Sequence, residues 1–174
     1  MFKELNILRT FFEFPSKEYN VRDIARILKI APATASKELK QLAKKVILKR
    51  RVYKNFNFYQ ANLDNDLYRD LKIFYNIRRI KESGLLDALN IFYLKPTVIL
   101  FGSASFGMNN ETSDFDILVV SENTREFSDL KKYDKILNNK IQLFIVKNIK
   151  DLKNKHLINN VLNGIVIQGH IKWI

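Results

Sequence analysis

Asp114 and Asp116 stand two residues apart in the run Ser113-Asp114-Phe115-Asp116. On an extended strand that spacing sends both carboxylates to one face. Two carboxylates side by side repel each other unless a cation lies between them, and hard oxygen ligands of this kind suit Mg²⁺ or Mn²⁺ bridged to substrate phosphates. Shortly upstream is the small-residue run Gly102-Ser103-Ala104-Ser105-Phe106-Gly107. Gly102 and Ser103 present no bulky side chain, so a phosphate can approach backbone N–H groups there. A helix starting at that turn would add its positive end. The flanks, Thr97–Phe101 and Ile117–Val120, are apolar and β-like. The order expected is strand, small-residue turn, short helix, then a strand that opens with two carboxylates. A phosphate cradle beside a divalent-metal carboxylate pair is equipment for phosphoryl or nucleotidyl transfer.

The run from Gly102 to Asp116 resembles the signature of the nucleotidyltransferase superfamily that includes DNA polymerase beta. It is most similar to the minimal nucleotidyltransferases, in which a Gly-Ser turn precedes a Ser-Asp-x-Asp strand. A softer similarity covers roughly the second half of the chain. The resemblance implies that Gly102, Ser103 and Ser113 bind nucleotide and that Asp114 and Asp116 are the catalytic, metal-holding pair. It implies Mg²⁺ or Mn²⁺ as cofactor, a nucleoside triphosphate as substrate, and transfer of its NMP to a hydroxyl on a protein or small molecule. The family's third carboxylate comes from a later strand. Alternation along Lys140–Val146 puts Gln142 at that position, with Asp134 and Asp151 the nearest acidic residues. Glutamine brings no charge and accepts no proton, so the site is expected to be weakened or to draw its base from elsewhere. Phe106 stands where close relatives often carry Arg.

The N-terminal third points to a different partner. Residues 1–62 hold 14 Lys and Arg against 5 Asp and Glu, a net of +9 within a whole-chain charge of +12. Such asymmetry suggests a polyanion, although Lys-rich thermophile usage gives the same composition. A first helix is expected over Phe2–Phe14, stopping at Pro15, with Leu5, Leu8, Phe11 and Phe12 inward. Asn20 reads as the N-cap of Val21–Leu28, whose apolar face is Ile24, Ile27 and Leu28. Pro32 suits the first turn of a helix running to about Lys44. Its inner positions are Ala35, Leu39 and Leu42, and its outer ones Thr34, Ser36, Lys37, Lys40 and Lys44. Small and basic outer residues suit a helix seated in a major groove. Val46–Arg51 and Asn55–Gln60 read as a hairpin turning near Tyr53-Lys54-Asn55, with Arg50, Arg51 and Lys54 able to grip phosphates. The pattern resembles the winged helix-turn-helix of many prokaryotic and archaeal DNA-binding proteins. A helix-turn-helix used for protein docking is the alternative.

The expected fold is α+β, with a winged helix-turn-helix over residues 1–62, a connecting helix over 63–82 and a nucleotidyltransferase-type mixed domain over 83–174. Leu67, Leu71, Phe74, Ile77 and Ile80 form the apolar stripe of the connecting region, with a break at Ser83-Gly84. Winged-helix proteins often dimerise through such a helix, so a homodimer is expected by resemblance. The tail should form a helix to Asn163-Gly164 and a closing strand with Ile165, Ile167, Ile171 and Trp173 on one face. Cysteine is absent, which removes disulfides and thiolate metal sites and fits a reducing cytoplasm. No apolar run approaches the ~20 residues of a membrane span, and the N-terminus lacks a signal-peptide core. A cytoplasmic location is expected. The main alternative is a non-enzymatic DNA-binding transcriptional regulator with a degenerate nucleotide-binding domain. A third reading, also by resemblance, is an antitoxin paired with a separate toxin protein.

Overall fold

A computed structural model describes residues 3–171 of the chain, with side chains from Asn6 onward. The chain divides into two compact units, one ending at Lys72 and the other beginning at Ile73. The division falls inside the helix expected to connect two domains.

The first unit begins with α1, Lys3–Glu13, whose Leu8, Phe11 and Phe12 are buried. The side chain of Leu5 lies outside the described residues. After the two-residue strand β1, Tyr19–Asn20, Asn20 caps α2, Val21–Leu28. Its side-chain oxygen accepts from the N–H groups of Arg22 and Asp23, and Asp23 accepts from the N–H of Asn20. This reciprocal box satisfies donors that a helix start otherwise leaves free. Ile24 faces the core, but Ile27, expected beside it, is half-exposed, and Ala25 takes the buried place. Helix α3 runs Pro32–Lys44 and buries Ala35, Leu39 and Leu42.

Strands β2, Leu48–Tyr53, and β3, Phe56–Ala61, form a hairpin closed by Lys54 and Asn55, both at positive φ. Positive φ at both central residues is what the twist of a two-residue hairpin asks for. Strand β1 pairs with the other edge of β3. The hairpin starts later than expected. Val46 is not in a strand but at φ 58, where its N–H and that of Ile47 bond back to Ala43 and Leu42. These two bonds are the left-handed closure of α3, a place that usually takes glycine.

Helix α4, Asp66–Glu82, is followed after Ser83-Gly84 by α5, Leu85–Tyr93. The expected stripe of α4 is met in part: Ile80 is buried, and Leu71 and Ile77 are half-buried. Leu67 and Phe74 are half-exposed, and the buried positions are Tyr68, Lys72, Asn76 and Ile80. Hydrophobicity counts pass over Lys72 and Asn76, yet these four lie one above another at four-residue steps.

The second unit is built on a four-stranded sheet. Strands β4, Thr97–Phe101, and β5, Phe115–Val120, are antiparallel. Strand β6, Ile141–Val146, runs parallel to β5, and β7, Ile165–Gln168, antiparallel to β4. Alternation divides the side chains into two cores. Val98, Leu100, Phe115, Ile117, Val119 and Ile141 pack with α4, α5 and α6, Leu130–Leu137. Ile99, Phe101, Leu118 and Phe144 pack on the other face with Val161 of α7, Lys155–Leu162. The closing strand is shorter than expected. It stops at Gln168, Gly169 turns at φ 74, and Ile171 is exposed beyond it. Trp173 lies outside the described residues.

Candidate active site

Both cores leave the C-terminal end of β4 and the N-terminal end of β5 facing each other. Their register places Phe101 opposite Asp116. Phe115 and Ile117 enter the core beneath α4 and α5, so Asp116 points to the opposite face. The chain leaves β4 through Gly102, at φ 70. A Cβ built there would lie 2.1 Å from Oδ2 of Asp116. The Asp116 carboxylate therefore occupies the space a side chain would fill, and Gly102 serves the aspartate as well as any phosphate. Residues Gly102–Phe106 form the expected short helix as a single 3₁₀ segment, so little macrodipole stands behind the turn. Ser103 is half-buried. Ser105, by contrast, is buried and its hydroxyl donates to the Gly102 carbonyl.

Asp114 immediately precedes β5 and is close enough for its charge to act on Asp116. Burial first, and the Asp114 carboxylate second, push the Asp116 carboxyl above its usual range. Neither carboxylate takes part in an ion pair among the described residues. Two like charges thus share a partly desolvated place, the condition a divalent cation relieves. The donor set suits Mg²⁺ or Mn²⁺ in hardness, but only as a pair. Among the described residues no group of three or more His, Cys, Asp or Glu is gathered for a metal. Gln142 is the direct neighbour of Asp116 across β5 and β6, and it is exposed. The two acidic alternatives are committed to local structure. Asp134 accepts from the N–H of Ile141, and Asp151 accepts from the N–H of Asn148.

Ser113 is engaged in its own loop. Its hydroxyl donates to Asn110 Oδ1 and accepts from the N–H of Asn110. It shapes the approach to Asp114 from within this turn. Beside it lies a cavity of about 390 Å³ whose lining includes Asp114, Asp134, Lys135, Asn139 and Lys140.

Two residues that sequence reasoning missed hold these loops. Asn76 of α4 donates to the Ala104 carbonyl and to Asn109 Oδ1, at 2.9 Å each. Arg79 donates to the Leu137 carbonyl and to Asn139 Oδ1, and its guanidinium lies over the Phe115 ring. Polar residues three apart on the inner side of a helix were the available signal.

In the first unit, Thr34, Lys37, Lys40 and Lys44 of α3 are exposed and Ser36 is half-buried. The basic hairpin residues do not form one surface. Arg50 shares a face with buried Tyr59, whereas Arg51 lies opposite Phe58 on the other face. Arg51 makes a two-pronged pair with Glu18, at 3.0 and 2.6 Å. Arg50 donates to Asn57, and Lys54 sits over the Tyr53 ring.

No helix among the described residues is long and apolar enough to cross a membrane. No curated protein matches the chain. A crystal structure of Sso10a-2, a DNA-binding protein from Sulfolobus solfataricus, is similar over 52% of this chain and 96% of its own, at 16% identity and a TM-score of 0.37. Residues 82–167 match the family model of the nucleotidyltransferase domain, and Gly102, Ser103, Asp114 and Asp116 all lie within the stretch that is similar to it.

Proposed function

We propose that the second unit transfers NMP from a nucleoside triphosphate to a hydroxyl acceptor, and that the first unit is a winged helix-turn-helix that binds duplex DNA. The observation that carries the enzymatic reading is the interlock of Asp116 with Gly102, inside the matched domain and beside Asp114. In this reading the Gly102-Ser103 backbone and the Ser103 hydroxyl bind the triphosphate. Asp114 and Asp116 hold Mg²⁺ or Mn²⁺, which supplies charge neutralisation on the phosphates. The sheet fixes Asp116 against the turn, so the phosphate donors and carboxylates need little rearrangement when substrate arrives. Ser113 keeps the Asp114 loop folded, and Gln142 leaves the flank of Asp116 uncharged. The acceptor oxygen bonds the α-phosphorus as pyrophosphate leaves, and the acceptor's proton goes to a group other than Gln142.

The DNA reading rests on α3, whose basic face is turned away from Ala35, Leu39 and Leu42, and on the hairpin beside it. Half-exposed Leu67 on α4 is available to a second copy of the chain, as a homodimer would need. The direct test is incubation with each labelled NTP and Mg²⁺, with and without cell extract. Label transferred to an acceptor, and lost when both Asp114 and Asp116 become Asn, supports the enzyme. Calorimetry showing unchanged Mg²⁺–NTP affinity in that double variant rejects the site.

Gln142 favours a second reading, in which the domain binds nucleotide without turnover. The chain would then be a DNA-binding regulator, or an antitoxin bound to a toxin partner. Nucleotide binding with no label on any acceptor would select it.

A further inference from the structure

We infer that Asn76 and Arg79 are positioning residues for the nucleotide site, each anchoring one of the two loops that carry its ligands. The inference rests on the nucleotidyltransferase reading of that site. Both residues precede the matched domain, which begins at residue 82, so the domain's own boundary gives them no role. They stand three apart on α4 and therefore on one side of it.

Asn76 serves the first loop. It is 1% exposed, and both hydrogen bonds of its amide nitrogen end on the segment after β4, at Ala104 and Asn109. That segment begins with Gly102 and Ser103. A single 3₁₀ turn has few bonds of its own, so an outside anchor decides where its N–H groups point. Among the described residues the Asn76 Oδ1 atom has no partner. A buried amide left half-unsatisfied costs stability, and anchoring is what its other half achieves.

Arg79 serves the second loop. Its guanidinium bonds the Leu137 carbonyl and Asn139 Oδ1. Asn139 passes the constraint on, because its Nδ2 donates to the Ser113 carbonyl at 3.1 Å. Ser113 is the residue before Asp114. The planar guanidinium also rests on Phe115, the residue after it, at 5.5 Å. Asp114 is thus held on both sides by one side chain of α4, while Asn76 holds the turn that faces Asp116.

The test uses the full chain with Asn76→Leu, near-isosteric but without donors, and Arg79→Met, which keeps an unbranched stem without the guanidinium. Hydrogen exchange and Mg²⁺–ATP calorimetry are measured on both. Asn76→Leu should speed exchange at residues 102–109, and Arg79→Met at 110–115 and 137–140, with the rest of each unit unchanged. Each should weaken Mg²⁺–ATP binding about tenfold, since small displacements of binding groups cost that much or more. Exchange that rises evenly over the second unit, or stays at wild-type level in both loops, overturns the inference. So does unchanged affinity in folded variants. If Asn76→Leu does not fold, Arg79→Met decides alone by the same outcomes. A wild-type protein that binds no nucleotide sinks the nucleotidyltransferase reading instead, and the exchange maps then judge the anchoring separately.

Discussion

Gly102 and Asp116 are fitted to each other: the carboxylate oxygen of Asp116 lies where a Cβ on residue 102 would be, 2.1 Å away. Two separate facts make the glycine obligatory here. The backbone sits at φ 70, a region that costs an L-residue about 1–2 kcal/mol. The overlap with Asp116 comes on top of that. Gly102→Ala should therefore destabilise the protein by about 2 kcal/mol or more and turn Asp116 out of place. Chemical denaturation and Mg²⁺–NTP calorimetry check both halves. A variant with wild-type stability and affinity would mean the turn yields easily and the interlock has no energetic weight.

Asp116 itself should report on pH. A carboxyl whose folded pKa lies above its unfolded value favours folding while protonated. That advantage is lost as pH climbs from the ordinary value of 3.8 through the raised folded one. Here burial is the leading cause and the Asp114 charge the second. At neutral pH, then, ionised Asp116 costs metal-free protein stability. Asp116→Asn should raise the melting temperature at pH 7 without Mg²⁺ and have little effect at pH 3. Mg²⁺ should stabilise the wild type and not the variant. A variant that melts below the wild type at pH 7 without metal would show that the carboxylate is compensated inside the protein.

How far the sequence reveals this architecture depends on the kind of signal. The Asn20 cap, the first turn at Pro32, the break at Ser83-Gly84 and strand β4 depend on local chemistry, and they stand where that chemistry puts them. The two aspartates and Gly102 stand out by spacing and small size, whereas the fit of Gly102 to Asp116 is a contact that no spacing reveals. Long-range contacts hid the rest. Helix α4 offers two overlapping stripes, and which one is buried depends on partners for Asn76 that lie 28 and 33 residues away. Pairing of Arg51 with Glu18, 33 residues apart, is equally invisible to a local pattern. Val46 looks like the start of a strand, and only the bonds closing α3 place it in the left-handed region.

Val46 should accordingly improve on replacement. Its side chain is more than half exposed, so little burial is lost. A β-branched residue at φ 58 is strained, and glycine removes that strain while giving back part of the gain as unfolded-chain entropy. Val46→Gly should raise unfolding stability by about 1 kcal/mol, read as a shift of the denaturation midpoint. A lower midpoint would locate a compensating contact at this side chain.

Gln142 offers a gain-of-function test. It is the register partner of Asp116, so Gln142→Glu adds a third carboxylate at the edge of the site. Mg²⁺ affinity should rise, by about tenfold if the new group ligates directly. Transfer activity should rise with it if the missing base limits turnover. Unchanged Mg²⁺ affinity would show that exposed residue 142 turns away from the metal. Wild-type turnover already on the order of 1 s⁻¹ or faster would show that glutamine is no handicap.

The pair of Arg51 and Glu18 gives the DNA reading its sharpest test. Arg51 is half-exposed, yet Glu18 occupies its fork in the unbound protein. The same pair lowers the Glu18 pKa, through the hydrogen bond first, with desolvation opposing it and the Arg51 charge adding a smaller push downward. A phosphate gripping Arg51 must first displace that carboxylate. An exposed pair contributes little, so its removal in Glu18→Gln should tighten duplex binding only modestly, by up to about fivefold at low salt. Loss of one repelled negative charge adds in the same direction. Arg51→Gln should weaken binding and flatten the log–log salt slope by about 0.9 if the phosphate contact is made. Arg50 lies on the opposite face of the hairpin, so Arg50→Gln separates the two sides. Anisotropy titrations against a labelled duplex over a salt series read all three. If Glu18→Gln and Arg51→Gln both leave affinity and slope unchanged, Arg51 is a structural clasp between the segment before β1 and the hairpin, and the contact to DNA must come from α3 alone.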